Sequence, residues 1–364
     1  MATPESTAPL TSRLFADSAL FRWQNQTLRG DLILVIPIAI CLAVGLATGH
    51  PAAGMIAAGG AVNTGFGTKQ CIQRSMLLPM IFVTFGMAFS GFAGVLLGHE
   101  NLLLVFVSAL WAFGYGMLTG RPGGYGWVGQ QCVITFLVAS AFPASVAAAS
   151  GRALLLFAGG ALQLVFCSLV FHLLADLRVR LFILSRYIRD EELKFRATLT
   201  GTAKSLRRFS FEHSALPYAL RLAVTIGIST EIYRRLHYPS GYWIPMTALL
   251  VLKPGLTDTV SRAIARMIGT TGGAIAVSFC LAHIPTIPIV LAALTVLCAW
   301  LAYGLLNVNY ALYSVAVTSY IVFLLSLNAI PGHTLAVRRT FCTLLGGGIA
   351  LAVRLAVVSF RRRH

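Results

Sequence analysis

Gly241-Tyr242-Trp243-Ile244-Pro245-Met246-Thr247-Ala248-Leu249-Leu250-Val251-Leu252-Lys253-Pro254 is followed by Thr257, Thr259, Arg262 and then Arg266-Met267-Ile268-Gly269-Thr270-Thr271-Gly272-Gly273. An aromatic pair opens the stretch, a cation closes it, and little that is polar lies between. That is the order of a segment crossing hydrocarbon, with aromatic rings at one headgroup level and a cation at the other. A further apolar run, near 264–284, begins beside Arg266.

The rest of the chain agrees. Of 364 residues, 57% are hydrophobic and only 11% are charged, and mean hydropathy is +0.80. A soluble domain covers its surface with about 25% charged residues. This chain cannot, so its solvent is lipid. At roughly 20 residues per spanning helix the length admits about twelve spans. Twelve apolar runs are found, near 32–48, 52–66, 76–98, 101–119, 127–142, 152–175, 217–236, 242–254, 264–284, 286–306, 308–328 and 338–360. Those at 52–66, 127–142 and 242–254 are short and rich in Gly or Pro. Discontinuous helices beside a site and tilted helices both fit them.

Net charge is +17, from 28 basic and 11 acidic residues. On a soluble chain this would point to nucleic acid. Here 23 of the 28 fall on one side of the twelve runs if the N-terminus lies inside, and only Arg152, Arg234, Arg235, Arg338 and Arg339 fall outside. Topology explains the charge, both termini are expected in the cytoplasm, and no nucleic-acid partner is expected. The seven cysteines are scattered without metal spacing, so neither a disulfide framework nor a metal site is read from them. No cofactor is expected.

Four segments result: 1–30, N-terminal and cytoplasmic or interfacial; 31–175, a first membrane unit of six helices; 176–216, a basic amphipathic linker on the cytoplasmic side; and 217–364, a second six-helix unit. In the first segment Leu10, Leu14, Phe15, Phe21 and Trp23 alternate with Arg13, Asp17 and Arg22. An interfacial helix and a disordered tail both fit that pattern.

The two membrane units resemble each other. His50-Pro51 pairs with His237-Tyr238-Pro239, Trp111…Tyr115-Gly116 with Trp300…Tyr303-Gly304, and Arg152…Gly159-Gly160 with Arg339…Gly346-Gly347, at offsets of 187 to 189. An even number of spans per unit makes the repeats parallel, related by an axis along the membrane normal. The predicted fold is therefore an all-α integral membrane protein of about twelve transmembrane helices, in two parallel six-helix repeats joined by a short linker.

The stretch quoted first resembles the second-half signature of the fusaric acid resistance and aromatic acid exporter family. That signature is Gly-Tyr-Trp-x-Pro-hydroxyl, an apolar run ending in Lys/Arg-Pro, then Arg-x-x-x-Arg-x-x-Gly-Thr-x-x-Gly. Ala219-Leu220-Arg221-Leu222-Ala223 fits its lead-in, and Arg339 with Leu345-Gly346-Gly347 fits its last helix. The likeness covers roughly residues 217–350. It implies a bacterial inner-membrane exporter of organic anions, typically aromatic carboxylates, often working with a periplasmic adaptor protein. It extends to the plant aluminium-activated malate channels, so an anion-selective channel is the alternative. The chain departs from the family twice. It lacks the large cytoplasmic domain of many long members, and its first half offers Ala53-Gly54 or nearby small residues where the repeat would place the aromatic pair. The site is expected to be asymmetric, carried by the second half. Self-association stays open.

Residue chemistry names the same positions. Arg262 and Arg266 share a helix face at i, i+4, where two cations repel unless an anion lies between them. Arginine forks hold carboxylates, and Tyr242 and Trp243 can stack on an aromatic ring. Tyr242, Trp243, Lys253, Arg262 and Arg266 are thus the candidate substrate-binding residues. The competing reading makes the cations topology anchors and the aromatics an interfacial belt. For proton coupling the candidates are Glu231, inside an apolar run but close to Arg234 and Arg235, and His172 with Asp176, one turn apart. Asp31 opens the first helix, where the helix dipole suffices to explain it. Gly-x-Ser-x-Gly, His-Glu-x-x-His and paired carboxylates at catalytic spacing are missing, so no enzyme is expected.

Overall fold

The computed structural model describes residues 14–98, 101–179, 215–284, 286–328 and 332–363. The side chains of His172 and Asp176, and most of the basic linker, lie outside the described residues. Within them the regular structure is helical, apart from one isolated bridge between Ile72 and Ser75.

The first part of the chain forms α1 (Ile36–Ala47), α2 (Pro51–Phe66), α3 (Leu77–Leu97), α4 (Leu103–Leu118), α5 (Tyr125–Ser140) and α6 (Val146–Val179). The second forms α7 (Leu216–Leu236), α8 (Trp243–Val251), α9 (Leu256–His283), α10 (Pro288–Leu305), α11 (Tyr310–Ser326) and α12 (Gly332–Arg363). Local chemistry sets several ends. Prolines occupy the first turns of α1, α2, α7 and α10, where the missing N–H costs nothing. Asn309 caps α11 by accepting the Leu312 N–H at 3.1 Å. Gly98, at φ +63°, stops α3.

Among the described residues six helical stretches are long and apolar enough to cross a bilayer: Trp23–Ala47, Leu77–Leu97, Val146–Val170, Leu256–His283, Pro288–Leu305 and Thr334–Ser359. Leu103–Leu118 and Tyr310–Ser326 are shorter apolar helices. Outward faces carry Phe85, Phe89, Phe106, Leu154, Ile275 and Phe279, each more than half exposed. Such a surface is untenable in water and ordinary in lipid. The chain is a multi-pass membrane protein.

In the first half α1 packs on α2, α2 on α6, α3 on α5 and α6, and α4 on α5. In the second, α7 packs on α8, α8 on α12, α9 on α11 and α12, and α10 on α11. Between halves, α4 lies along α7, and α10 lies against α1 and the turns preceding it. The Ser108 hydroxyl donates to Thr230 Oγ1 across the first contact, and Trp300 Nε1 donates to the Leu28 carbonyl across the second.

The short runs separate into two kinds. Pro51–Phe66 and Tyr125–Ser140 are continuous helices of 16 residues. By contrast α8 has nine, about 14 Å of rise, and every one of its residues except Leu250 is buried. Beyond it Leu252 turns extended. A half-length helix wrapped in protein is how irregular backbone is tolerated at membrane depth.

Two expectations are corrected. Asp31 is not merely a dipole partner: it is buried, and its carboxylate receives Lys69 Nζ at 2.6 Å, 38 residues away. Segment 14–25 is not a loose tail. A turn at Ala16–Ala19 and a 3₁₀ turn at Trp23–Asn25 strap across the end where α9 and α11 begin. There the Asp17 N–H donates to Ser261 Oγ, Asn309 Nδ2 donates to the carbonyls of Ser18 and Leu20, and the Arg22 N–H donates to the Val308 carbonyl.

Candidate functional site

Two close helix contacts build the site. Gly269 and Gly273 lie where α9 meets α11. A Cβ on Gly269 would strike the Ala311 carbonyl oxygen and stand 2.5 Å from Ser314 Cβ. One on Gly273 would stand 2.9 Å from Thr318 Cβ. Only glycine lets the backbones meet this closely. The contacts put Ser314 level with Gly269 and Thr318 level with Gly273, so α9 and α11 run the same way.

Arg262 and Arg266 lie one turn apart on α9 but in different surroundings. The Arg262 guanidinium sits 3.8 Å from the centroid of the Tyr310 ring. Its Nε is 2.9 Å from Asp17 Oδ2, an ion pair by distance without hydrogen-bond alignment. Arg266 is 2% exposed, and its buried Nε has no acceptor among the described residues. Nearby, the buried Thr270 and Ser314 hydroxyls also lack partners.

A third arginine, unassigned by the sequence reading, completes the set. Arg339 is 1% exposed. Its Nε is 3.4 Å from Thr318 Oγ1, while Nη1 and Nη2 are buried without an acceptor. Its guanidinium carbon lies 5.1 Å from the centroid of the Trp243 ring. Arg339 and Arg266 are close enough for their charges to interact, and Tyr313 lies within electrostatic reach of all three guanidiniums. From Arg262 to the level of Gly273, where Arg339 meets Thr318, is eleven residues of α9, about 16 Å. Three arginines thus climb through the second bundle toward the aromatic pair.

Arg339 escaped because hydropathy started the last span at 338 and set Arg338 and Arg339 at its outer edge. The helix begins at Gly332, since Gly-His-Thr is polar yet helical, and this carries Arg339 two turns inside. Its fit to the family's last helix was the available signal.

Tyr242 and Trp243 are 4% and 1% exposed, with rings 5.3 Å apart. Phe142, just past the end of α5, covers Tyr242 at 6.2 Å. Belt residues face headgroups; these face protein. Lys253, in the turn between α8 and α9, is half-buried and within reach of the Arg262 charge. Its backbone is fixed by Thr259, whose hydroxyl oxygen accepts the Lys253 N–H at 3.1 Å. The structure therefore gathers Trp243, Tyr242, Arg266 and Arg339 in one interior, with Arg262 and Lys253 at its Asp17 end.

Glu231 lies apart. Its carboxylate receives Arg234 through two N–H groups, at 2.8 and 2.9 Å, and Arg235 through a third. With both oxygens engaged, Glu231→Gln is expected to leave unchanged the proton dependence of any protein-mediated solute flux into proteoliposomes at matched protein density. Loss of proton dependence in this variant would return Glu231 to a coupling role.

Buried cations without acids require another source of negative charge, because desolvation of an unpaired ion is costly. Among the described residues the one carboxylate ion-paired to these arginines is Asp17. The fold and site define a multi-pass membrane protein with a cationic interior lined by aromatic rings. Residues 226–353 match the family model described as fusaric acid resistance protein-like. Curated relatives include the uncharacterized protein slr1298 of Synechocystis, 29% identical over 40% of this chain and 19% of that protein. The uncharacterized protein YhfK of Escherichia coli is 33% identical over 39% of this chain and 20% of that one. An uncharacterized protein of Haemophilus influenzae is 30% identical over 39% of this chain and 20% of its own length. The match spans about a fifth of each relative. No solved structure matches the chain.

Proposed function

We propose that this protein exports organic anions, aromatic carboxylates above all, across the bacterial inner membrane. The observation that carries the proposal is the buried pair Arg266 and Arg339: Nε of the first and Nη1 and Nη2 of the second lack an acceptor among the described residues, and Arg339 lies over the Trp243 ring. A carboxylate satisfies two such donors at once, and an aromatic body suits the indole face.

The architecture in this reading is twelve spans in two parallel six-helix repeats, with both termini cytoplasmic. Support comes from the sequence offset of 187 and from the helix pairs: first on second, second on sixth, third on fifth and sixth, fourth on fifth, in each half. The reciprocal contacts α4 with α7 and α10 with α1 are those expected of two units related by a two-fold axis. At offsets of 187 or 188 the first half has Pro79 or Leu78 opposite Arg266, while Ser75 or Arg74 stands opposite Arg262 and Arg152 opposite Arg339; the missing counterpart of Arg266 supports a path carried by the second half. Arg262 and Lys253 then stand at the cytoplasmic mouth and Tyr242 and Trp243 toward the periplasm. A periplasmic adaptor protein and a homo-oligomer are the partners this reading allows.

An anion-selective channel is the second reading. It is favoured by the scarcity of acids along the path, where Asp17 is the carboxylate paired to an arginine and Glu231 is occupied elsewhere. The test is flux of labelled benzoate from proteoliposomes containing the full chain. Export expects uphill movement that stops when a protonophore collapses the gradient. Benzoate current that follows its own gradient regardless would establish the channel, and no protein-dependent flux of any aromatic acid would end both readings.

A further inference from the structure

At the Asp17 end of the arginine series lies an open cavity of about 500 Å³. Asp17, Arg22, Asn25, Arg262, Asn309 and Tyr310 are among its lining residues. Two guanidiniums and one carboxylate leave the wall net positive. The carboxylate is held on Arg262 by the strap, not by the bundle itself: Asp17 belongs to segment 14–25, which is pinned through Ser261 and Asn309. Its ion pair with Arg262 is partly exposed and lacks hydrogen-bond alignment. An exposed pair of that kind is worth little and exchanges readily. Tyr310, stacked on the same guanidinium, offers an aromatic wall beside it.

We propose that this cavity is an entry site for carboxylate ligands, and that Asp17 holds the Arg262 position as a built-in competitor until an incoming acid displaces it. The inference rests on the anion-path reading above and adds its regulation. A free acid arriving in the cavity meets Arg22 and Arg262, exchanges with Asp17 on Arg262, and stands one helical turn from Arg266. No bond is made or broken; one carboxylate replaces another on a guanidinium.

The consequence is measurable. If Asp17 occupies Arg262 nine-tenths of the time, apparent affinity for a free carboxylate is lowered about tenfold. Asp17→Asn keeps the shape and removes the competitor. Equilibrium dialysis of labelled benzoate against the full chain in detergent is therefore expected to show binding about tenfold tighter in Asp17→Asn than in wild type. Adding Arg262→Gln should remove that gain. Asn309→Ala, which frees the carbonyls of Ser18 and Leu20 without touching a charge, should shift affinity in the same direction as Asp17→Asn. Unchanged or weaker binding in both Asp17→Asn and Asn309→Ala, with Arg266→Gln still abolishing binding, would overturn the competitor while leaving the path intact. A gain that survives Arg262→Gln would overturn it too. Benzoate binding indifferent to both Arg266→Gln and Arg339→Gln would instead remove the path on which the inference stands.

Discussion

Arg339→Leu is expected to abolish aromatic acid transport and at the same time to raise the thermal midpoint of the protein in detergent. The two effects have one cause. Arg339 is wholly buried, and its terminal nitrogens have no acceptor among the described residues. Replacing buried ionic groups with apolar ones is often neutral or stabilising by about 1–4 kcal/mol. A residue kept for stability would show the opposite. Arg339→Lys and Arg266→Lys refine the test, since each keeps the charge and removes the planar two-donor fork. Loss of a charge-assisted hydrogen bond to a bound anion costs about 1.5–3 kcal/mol, roughly ten- to hundredfold in apparent affinity. Flux across a benzoate concentration series is the measurement, with membrane insertion checked in parallel. Wild-type flux in both Lys variants would make these residues structural or topological.

Gly269→Ala is expected to damage the fold itself. Its Cβ would meet the Ala311 carbonyl oxygen and Ser314 Cβ, both on rigid helix α11, and no flexible side-chain end is there to yield. Overpacking of this kind costs about 1–3 kcal/mol, here at the contact between α9 and α11 one turn beyond Arg266. Three residues on, Gly272 faces only Val315 Cγ2 at 3.5 Å. Gly272→Ala should be neutral, or stabilising by up to about 1 kcal/mol through helix propensity. Size-exclusion chromatography and thermal melting of the two variants in the same detergent check the contrast. Equal behaviour would mean that the α9–α11 contact does not govern the bundle.

Much of the helix order was legible because hydrocarbon imposes a simple rule. The described helices α1 to α12 follow the twelve apolar runs, and the shortness of 242–254 pointed to α8. What escaped was tertiary. Asp17 meets Arg262 across 245 residues of sequence, and no periodicity links them. Asp31 and Lys69 look like separate helix-end charges until the fold joins them. Arg339 was hidden by the hydropathy window, which drops the polar first turns of a helix even when they are helical. Tyr242 and Trp243 have the composition of an interfacial belt, and only their burial under Phe142 and beside Arg339 removes them from it.

The central claim is that a carboxylate lodges between Arg266 and Arg339 with its ring toward Trp243. The most direct measurement is an experimental structure of the full chain soaked with 4-bromobenzoate, with the bromine located by its anomalous signal. The account predicts one strong peak within van der Waals distance of the Trp243 indole, and carboxylate density directed at the two guanidiniums. Bromine found only on the lipid-facing surface or among the helices of the first half, with Arg266 and Arg339 untouched, would contradict it.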